Sequence, residues 1–350
     1  MQGVRPSSQN ASQFDPRPKT GGFLKIKSFA KLNLFLDVVS KRDDGYHNIA
    51  SVMQSVDLCD ELFFSVPGAK KNVPHNFEPE KKEEALKDVS HLFKPENKEL
   101  AMKEVSHSEF NVNGTVFSFA TDSNEVPIDD SNLIVRAAKV MVSEYGIKNP
   151  FEIRLKKHIP VGAGLGGGSS NCAAVLHGIN TLFDLKVPQN ELTDIGITLG
   201  ADVPFCLTGG TCLAEGIGEK LTPLAPHPDC FILIAHPNIH VSTKEIFDSL
   251  EASDFYGGKS KLSQIFDGLS NNELTKVALS LYNVFTDLTT KKVPQVGSML
   301  AVLKSGGALA ASMTGTGSAV FGYFTDIENA QVNAEELKKI GRVFVTRPLR

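Results

Sequence analysis

Between residues 151 and 185 the chain runs FEIRLKKHIP, then VGAGLGGG, then SSNCAAVLHGINTLFDL, and this order of segments restricts the fold more than any other feature of the sequence. The first segment reads as a strand ending at Pro160, and the third as a helix opened by serines. Between them, five of the seven residues from 162 to 168 are glycine. Glycine tolerates backbone conformations closed to other residues, so successive N–H groups can turn inward, and the following helix presents its positive N-terminal end at the same point. A strand, a glycine loop and a serine-opened helix together predict a cradle for an oligophosphate. A flexible linker of this composition is not expected directly between an amphipathic strand and a capped helix.

Several phosphate loops share these ingredients. Gly162, Gly164 and Gly167 formally satisfy G-x-G-x-x-G, the dinucleotide fingerprint. That assignment also needs a second strand ending in an acid about 20 residues on, whereas Asp184 closes the helix and LKVPQNE follows it. No lysine follows the glycines as a Walker loop demands, and the H-R-D and D-F-G segments of protein kinases are absent. A net charge of -4 supplies no basic field for nucleic acid, and no apolar run approaches the ~18–20 residues of a membrane span. Cys59, Cys172, Cys206, Cys212 and Cys230 never fall at a C-x-x-C spacing, which predicts reduced and mostly buried thiols. His236 and His240 lie four apart but with Pro237 between them and no H-E-x-x-H glutamate, so no metal site is expected.

Along the chain, residues 23–47 predict two strands and a turn at DDG, and 49–66 a further strand pair. Of the 35 residues from 70 to 104, 16 are Lys, Glu or Asp, which predicts a charged, solvent-exposed insertion. A helix is expected over 129–146, and others over 189–200, 243–251, 260–268, 272–287 and 333–341. Strands are expected at 230–237, around 306–324 and at 342–347. Residues 1–22, poor in acids and rich in Ser, Gln, Pro and Gly, suit either a disordered tail or an organelle-targeting segment. The expected location is accordingly the cytoplasm or a plastid stroma.

Three separated blocks, FAKLNLFLDV, PVGAGLGGGSSNCAA and MTGTGSAVFGYF, resemble the GHMP family of small-molecule kinases. Within that family, SKRDDGYHNIASVMQSVDLCDEL and LGADVPFCLTGGTCLAEGIGEKLTPL are similar to the branch that phosphorylates the 2-hydroxyl of a cytidine diphosphate-linked methylerythritol, a non-mevalonate isoprenoid intermediate. The resemblance implies an α+β fold with an active-site cleft between two domains, 23–229 and 230–350, the first carrying the insertion. It implies ATP and Mg²⁺ as cofactors. It also implies Asp202 as general base and Lys31 as its partner, stabilising developing negative charge. Pro160, Gly162, Gly164, Leu165, Gly166, Gly167 and Gly168 match the phosphate loop, with Ser169 or Ser170 offering a hydroxyl. Asn132 and Lys157 resemble nucleotide contacts. Tyr46 and Phe247 match the two faces of a stack around the cytosine, His47 its edge contact, and Thr243 and Asn33 polar substrate contacts. Gly315, Thr316 and Gly317 resemble a third glycine turn supporting the phosphate loop.

Two alternatives stay open on these grounds. One is a kinase of the same family acting on mevalonate, homoserine or a sugar. The other is a catalytically silent nucleotide-binding protein whose working part is the charged insertion.

Overall fold

The computed structural model describes residues 23–67 and 104–350, so the expected tail and nearly all of the charged insertion lie outside the described residues. The first half of the chain forms β1 (Phe23–Lys41), β2 (His47–Ser65), β3 (Ser106–Val112), β4 (Thr115–Thr121), α1 (Leu133–Tyr145), β5 (Phe151–Lys156), α2 (Gly167–Leu182), α3 (Gln189–Leu199), α4 (Val203–Thr208), β6 (Thr211–Gly216) and β7 (Lys220–Pro223). The second half forms β8 (Phe231–His236), α5 (Thr243–Asp248), α6 (Lys259–Ser270), α7 (Leu274–Leu279), β9 (Tyr282–Asn283), α8 (Thr286–Lys292), α9 (Pro294–Ser305), β10 (Ala311–Met313), β11 (Val320–Phe324), α10 (Ile327–Lys338) and β12 (Arg342–Thr346). This is an α+β fold.

Among the described residues there are two sheets. The larger has the order β3-β4-β5-β2-β1-β9, with β6 and β7 attached beside β2, and the smaller has the order β10-β11-β8-β12. Strand β2 forks: Glu61–Ser65 pair with β5 while Ile49–Gln54 pair with β6. One face of the larger sheet is covered by α1–α4, with Phe64, Phe117, Phe119 and Phe151 packed against Val175 and Ile179. Helix α2 lies so close that a Cβ on Gly178 would fall 2.3 Å from the Phe64 ring. The other face shares a core with the second sheet, joining Ala30, Leu32 and Leu34 to Ile232, Ile234, Phe321 and Tyr323.

The expected four short strands over 23–66 are two strands of 19 residues each, turning at Arg42–Tyr46 with Gly45 at φ 86°. The break that the sequence pattern suggests is a bulge inside the pairing. Phe29 pairs with Cys59 and Lys31 with Ser55, so Ala30 alone spans three residues of β2. A bulge shifts the face on which side chains emerge. Leu24 and Ile26 enter the first core and Ala30, Leu32 and Leu34 the second. Ser28 and Lys31, three apart, consequently both face the helical layer.

Other boundaries move for tertiary reasons. The helix expected over 272–287 is divided into α7 and α8, because Tyr282 and Asn283 pair in parallel with Phe35 and Leu36 of β1. Helix α2 begins at Gly167 rather than at the serines, capped by Gly166 in the left-handed region at φ 68°. The helix expected at 333–341 is α10, starting six residues earlier where Asp326 accepts from Asn329 N. Helices α4 and α9 were not expected. Helix α1 matches its expectation, with Asn132 as N-cap and Gly146 as left-handed C-cap.

Candidate active site

Strand β5 delivers the chain to the glycine loop. There Gly162, Gly164 and Gly166 take φ of 65°, 80° and 68°, a left-handed conformation at every second residue. The residues between them, Ala163 and Leu165, are 1% exposed and plug into the second core. The loop is also too tightly seated for side chains: a Cβ on Gly164 would meet Thr314 O at 2.3 Å, and one on Gly166 would meet Lys31 Cγ at 2.7 Å. Leu165 O accepts from Lys31 N at 2.9 Å, and Ala163 O from Ala319 N at 3.1 Å. The loop is thus clamped between β1 and the turn joining β10 to β11.

Lys31, re-aimed by the bulge, is 4% exposed. Its Nζ lies 3.3 Å from Asp202 Oδ2 and donates to Asn33 Oδ1 at 2.7 Å. Asp202 precedes α4 without capping it, and its side chain is 30% exposed. An acid and an ammonium, distant in sequence and unlike in exposure, meet beside the helix that follows the loop. Such a pair sets a carboxylate where it can take a proton from a hydroxyl brought to its open side.

Residues 132–210 match the model for the GHMP kinases N terminal domain, and residues 266–342 that for the GHMP kinases C terminal. The 4-diphosphocytidyl-2-C-methyl-D-erythritol kinase of Caldicellulosiruptor bescii is 35% identical over 90% of this chain and 94% of its own. That of Clostridioides difficile is 35% identical over 92% of this chain and 94% of its own. The chain belongs to the GHMP kinase family. A solved 4-(cytidine 5'-diphospho)-2C-methyl-D-erythritol kinase superposes with a TM-score of 0.67 at 26% identity, covering 93% of this chain and 99% of that one. The L. major mevalonate kinase, at 12% identity, TM-score 0.65 and coverage of 94% and 97%, shares the fold.

The remaining expected residues of this GHMP kinase divide into two groups. Asn33, 2% exposed, is fully engaged: its Oδ1 accepts from Lys31, from Gly315 N at 3.0 Å and from Thr314 Oγ1 at 3.3 Å, and its Nδ2 donates to Ser51 at 2.8 Å. It ties the lysine to the third glycine turn. Asn132 caps α1 through Ile134 N and donates to Pro127 O. Lys157 is ion-paired to buried Asp60, with its side chain 8% exposed. Ser170 turns inward to accept from Ser28 at 2.8 Å, whereas Ser169 stays partly exposed.

At the turn joining β1 to β2, Tyr46 is 63% exposed while His47 is buried, its ring centroid 5.3 Å from that of Phe247. Phe247 packs in turn on Phe285 at 4.6 Å, and Phe255 meets the His47 ring edge-on at 6.2 Å. Burial, and then the charge of Lys41, push the His47 pKa below its ordinary value against the opposing pull of Asp248, keeping the imidazole neutral at neutral pH. Thr243 Oγ1 lies 3.1 Å from Thr316 Oγ1 of the third turn.

Sequence reasoning missed Asp60, Ser28, Asn171, Asn283 and Phe255. Asn283 supports the third turn by donating to Met313 O and Gly315 O at 2.9 and 2.8 Å. The one signal available was that Asp60, with Asp57 and Glu61, is an acid set in an otherwise strand-like run. Among the described residues no helix is long and apolar enough to cross a membrane, and no cluster of three or more His, Cys, Asp or Glu is placed to hold a metal.

Proposed function

We propose that this GHMP kinase transfers the γ-phosphoryl group of ATP to the 2-hydroxyl of 4-diphosphocytidyl-2-C-methyl-D-erythritol. The observation that carries the proposal is the 3.3 Å approach of Lys31 Nζ to Asp202 Oδ2, with the Lys31 backbone bonded to the glycine loop. Relatives bearing that enzyme's name, 35% identical over about nine-tenths of the chain, support the choice of acceptor.

In this reading Asp202 takes the proton of the acceptor hydroxyl as its oxygen bonds to the γ-phosphorus and the bond to the departing ADP breaks. Lys31, fixed by Asn33, stabilises charge accumulating on the transferred group. The loop amides and the N-terminus of α2, whose first turn carries no acid, hold the phosphates. The partly exposed Ser169 hydroxyl at the start of α2 would fit a hard cation that keeps most of its ligands as water and phosphate. The chemistry such a Mg²⁺ would supply is charge neutralisation on the phosphoryl oxygens.

Tyr46 stacks on the cytosine, with His47 offering a neutral ring nitrogen to its edge and Phe247 backing the histidine. Thr243 contacts the acceptor from the third turn. The division into units 23–229 and 230–350 belongs to the same proposal; β8 opens the second sheet, although β9 returns to the first. A coupled ADP-release assay comparing the diphosphocytidyl acceptor with mevalonate and homoserine tests it. Turnover is expected with the first alone, and comparable turnover with either of the others overturns the acceptor assignment.

A further inference from the structure

Beneath the glycine loop lies a carboxylate that the chemistry above does not use. Asp60 of β2 is fully buried, yet four donors converge on it. Its Oδ1 accepts from His158 N at 2.7 Å and Ile159 N at 2.8 Å. Its Oδ2 accepts from Asn171 Nδ2 at 2.9 Å and from the Lys157 ammonium. Asn171 also donates to Ser28 at 2.8 Å, and Ser28 to Ser170 at 2.8 Å.

The sequence positions of these donors are informative. Lys157, His158 and Ile159 immediately precede the loop, and Asn171 and Ser170 lie in the first turns of the helix that follows it. One carboxylate therefore holds the entry and the exit of the loop at a single point. The loop itself rests on that point: a Cβ on Gly167 would fall 3.0 Å from both Lys157 Nζ and Ile159 Cγ2.

Resting on the kinase reading, we propose that Asp60 is a positioning residue for nucleotide binding. By fixing both ends of the loop it arranges the amides before the triphosphate arrives, and by neutralising Lys157 it pins that ammonium under Gly167. Preorganised donors stabilise a ligand without reorganisation on binding, whereas a loop free at either end must be ordered by the ligand itself. A carboxylate that merely stabilised the fold would affect unfolding without distinguishing the two substrates.

The test is an equilibrium ATP titration of the full chain without acceptor, together with KM for ATP and for the acceptor, at temperatures where circular dichroism shows each variant folded. Asp60→Asn leaves Lys157 unpaired in a buried place and is expected to weaken ATP binding by at least about tenfold. The acceptor KM is expected to change by less than about twofold, since uniform loss of folded enzyme moves neither constant. Asn171→Ala, which keeps the Asp60–Lys157 pair and frees only the exit, is expected to weaken ATP binding by about threefold or more and decides the matter if Asp60→Asn does not fold. ATP affinity equal to wild type in folded Asp60→Asn, or in Asn171→Ala where that variant decides, overturns the role of Asp60 alone. A wild-type chain that binds no ATP overturns the kinase reading and this inference together.

Discussion

Around the glycine loop, Lys31, Asn33 and Asp60 are each at most 4% exposed, and their polar groups bond to the loop, to the third turn or to α2. At the proposed acceptor side Tyr46 is 63% exposed, and the ring of its neighbour His47 is met by the aromatic rings of Phe247 and Phe255. The phosphate side is over-determined by polar contacts, while the acceptor side is a hydrophobic wall with one free aromatic face. The difference matches two recognition tasks. Phosphoryl transfer tolerates little misplacement of charge, whereas a planar base can be gripped by stacking on a surface that adjusts to it.

If that contrast is correct, changes on the phosphate side should act on turnover and those on the acceptor side on KM. The largest effect is expected from Asp202→Asn, which keeps the shape and removes the base. Turnover should fall by on the order of 10²–10⁴ with ATP affinity nearly intact. Unchanged turnover in single-turnover quench experiments removes Asp202 from the chemistry. Gly164→Ala should follow, since its Cβ would sit 2.3 Å from a backbone carbonyl at a φ of 80°. Relief requires the loop or the third turn to move, and a displacement of that size costs on the order of 10² in kcat/KM. Wild-type kinetics in this variant would mean that the loop is softer than its contacts indicate.

Tyr46→Ala should produce a smaller and differently placed effect. Stacking of an aromatic residue on a base is worth about 1–3 kcal/mol, so the acceptor KM should rise by roughly 5- to 150-fold. Because Tyr46 is largely exposed, the melting temperature should not move. CMP should compete with the acceptor in the wild type and lose that advantage in the variant. Indifference to CMP in both would break the contrast at its acceptor end.

The legibility of the sequence followed the same division. The glycine loop, its flanking strand and helix, and the resemblance of the three blocks located Lys31 and Asp202, because these depend on local chemistry within short motifs. The bulge that aims Lys31 was not legible. A strand with one displaced pairing reads as two strands, and only the observed partnering of Lys31 with Ser55 shows the continuity. Asp60 was overlooked for a related reason. An acid in a strand pattern usually marks a solvent face, as Asp57 does in the same strand, and the burial of Asp60 follows from donors 97 to 111 residues away. The division of the helix expected over 272–287 likewise depends on an edge of β1 that only the folded chain presents.

The last expected effect concerns stability in acid rather than catalysis and separates the second sheet from the site. His227 is fully buried; its Nδ1 donates to Pro228 O at 2.6 Å, which leaves Nε2 to accept from the Tyr323 hydroxyl at 3.0 Å. Burial pushes the pKa of His227 down to about 4, and burial followed by the charge of Arg342 does the same to His236. Above pH 6.5 these histidines are neutral in folded and unfolded chains alike, so their contribution to stability is complete. Between about 6.5 and about 4 the unfolded chain takes up protons that the folded chain refuses, and stability falls by up to about 1.4 kcal/mol per pH unit for each histidine. Urea unfolding at a series of pH values should show this slope, and His227→Gln should reduce it by about one proton. His47, which lines the acceptor wall, should leave a different mark: as pH falls through its lowered pKa, the acceptor KM should rise while the ATP KM holds. Parallel changes in both constants would indicate that acid acts through global unfolding, and that the acceptor wall has no titration of its own.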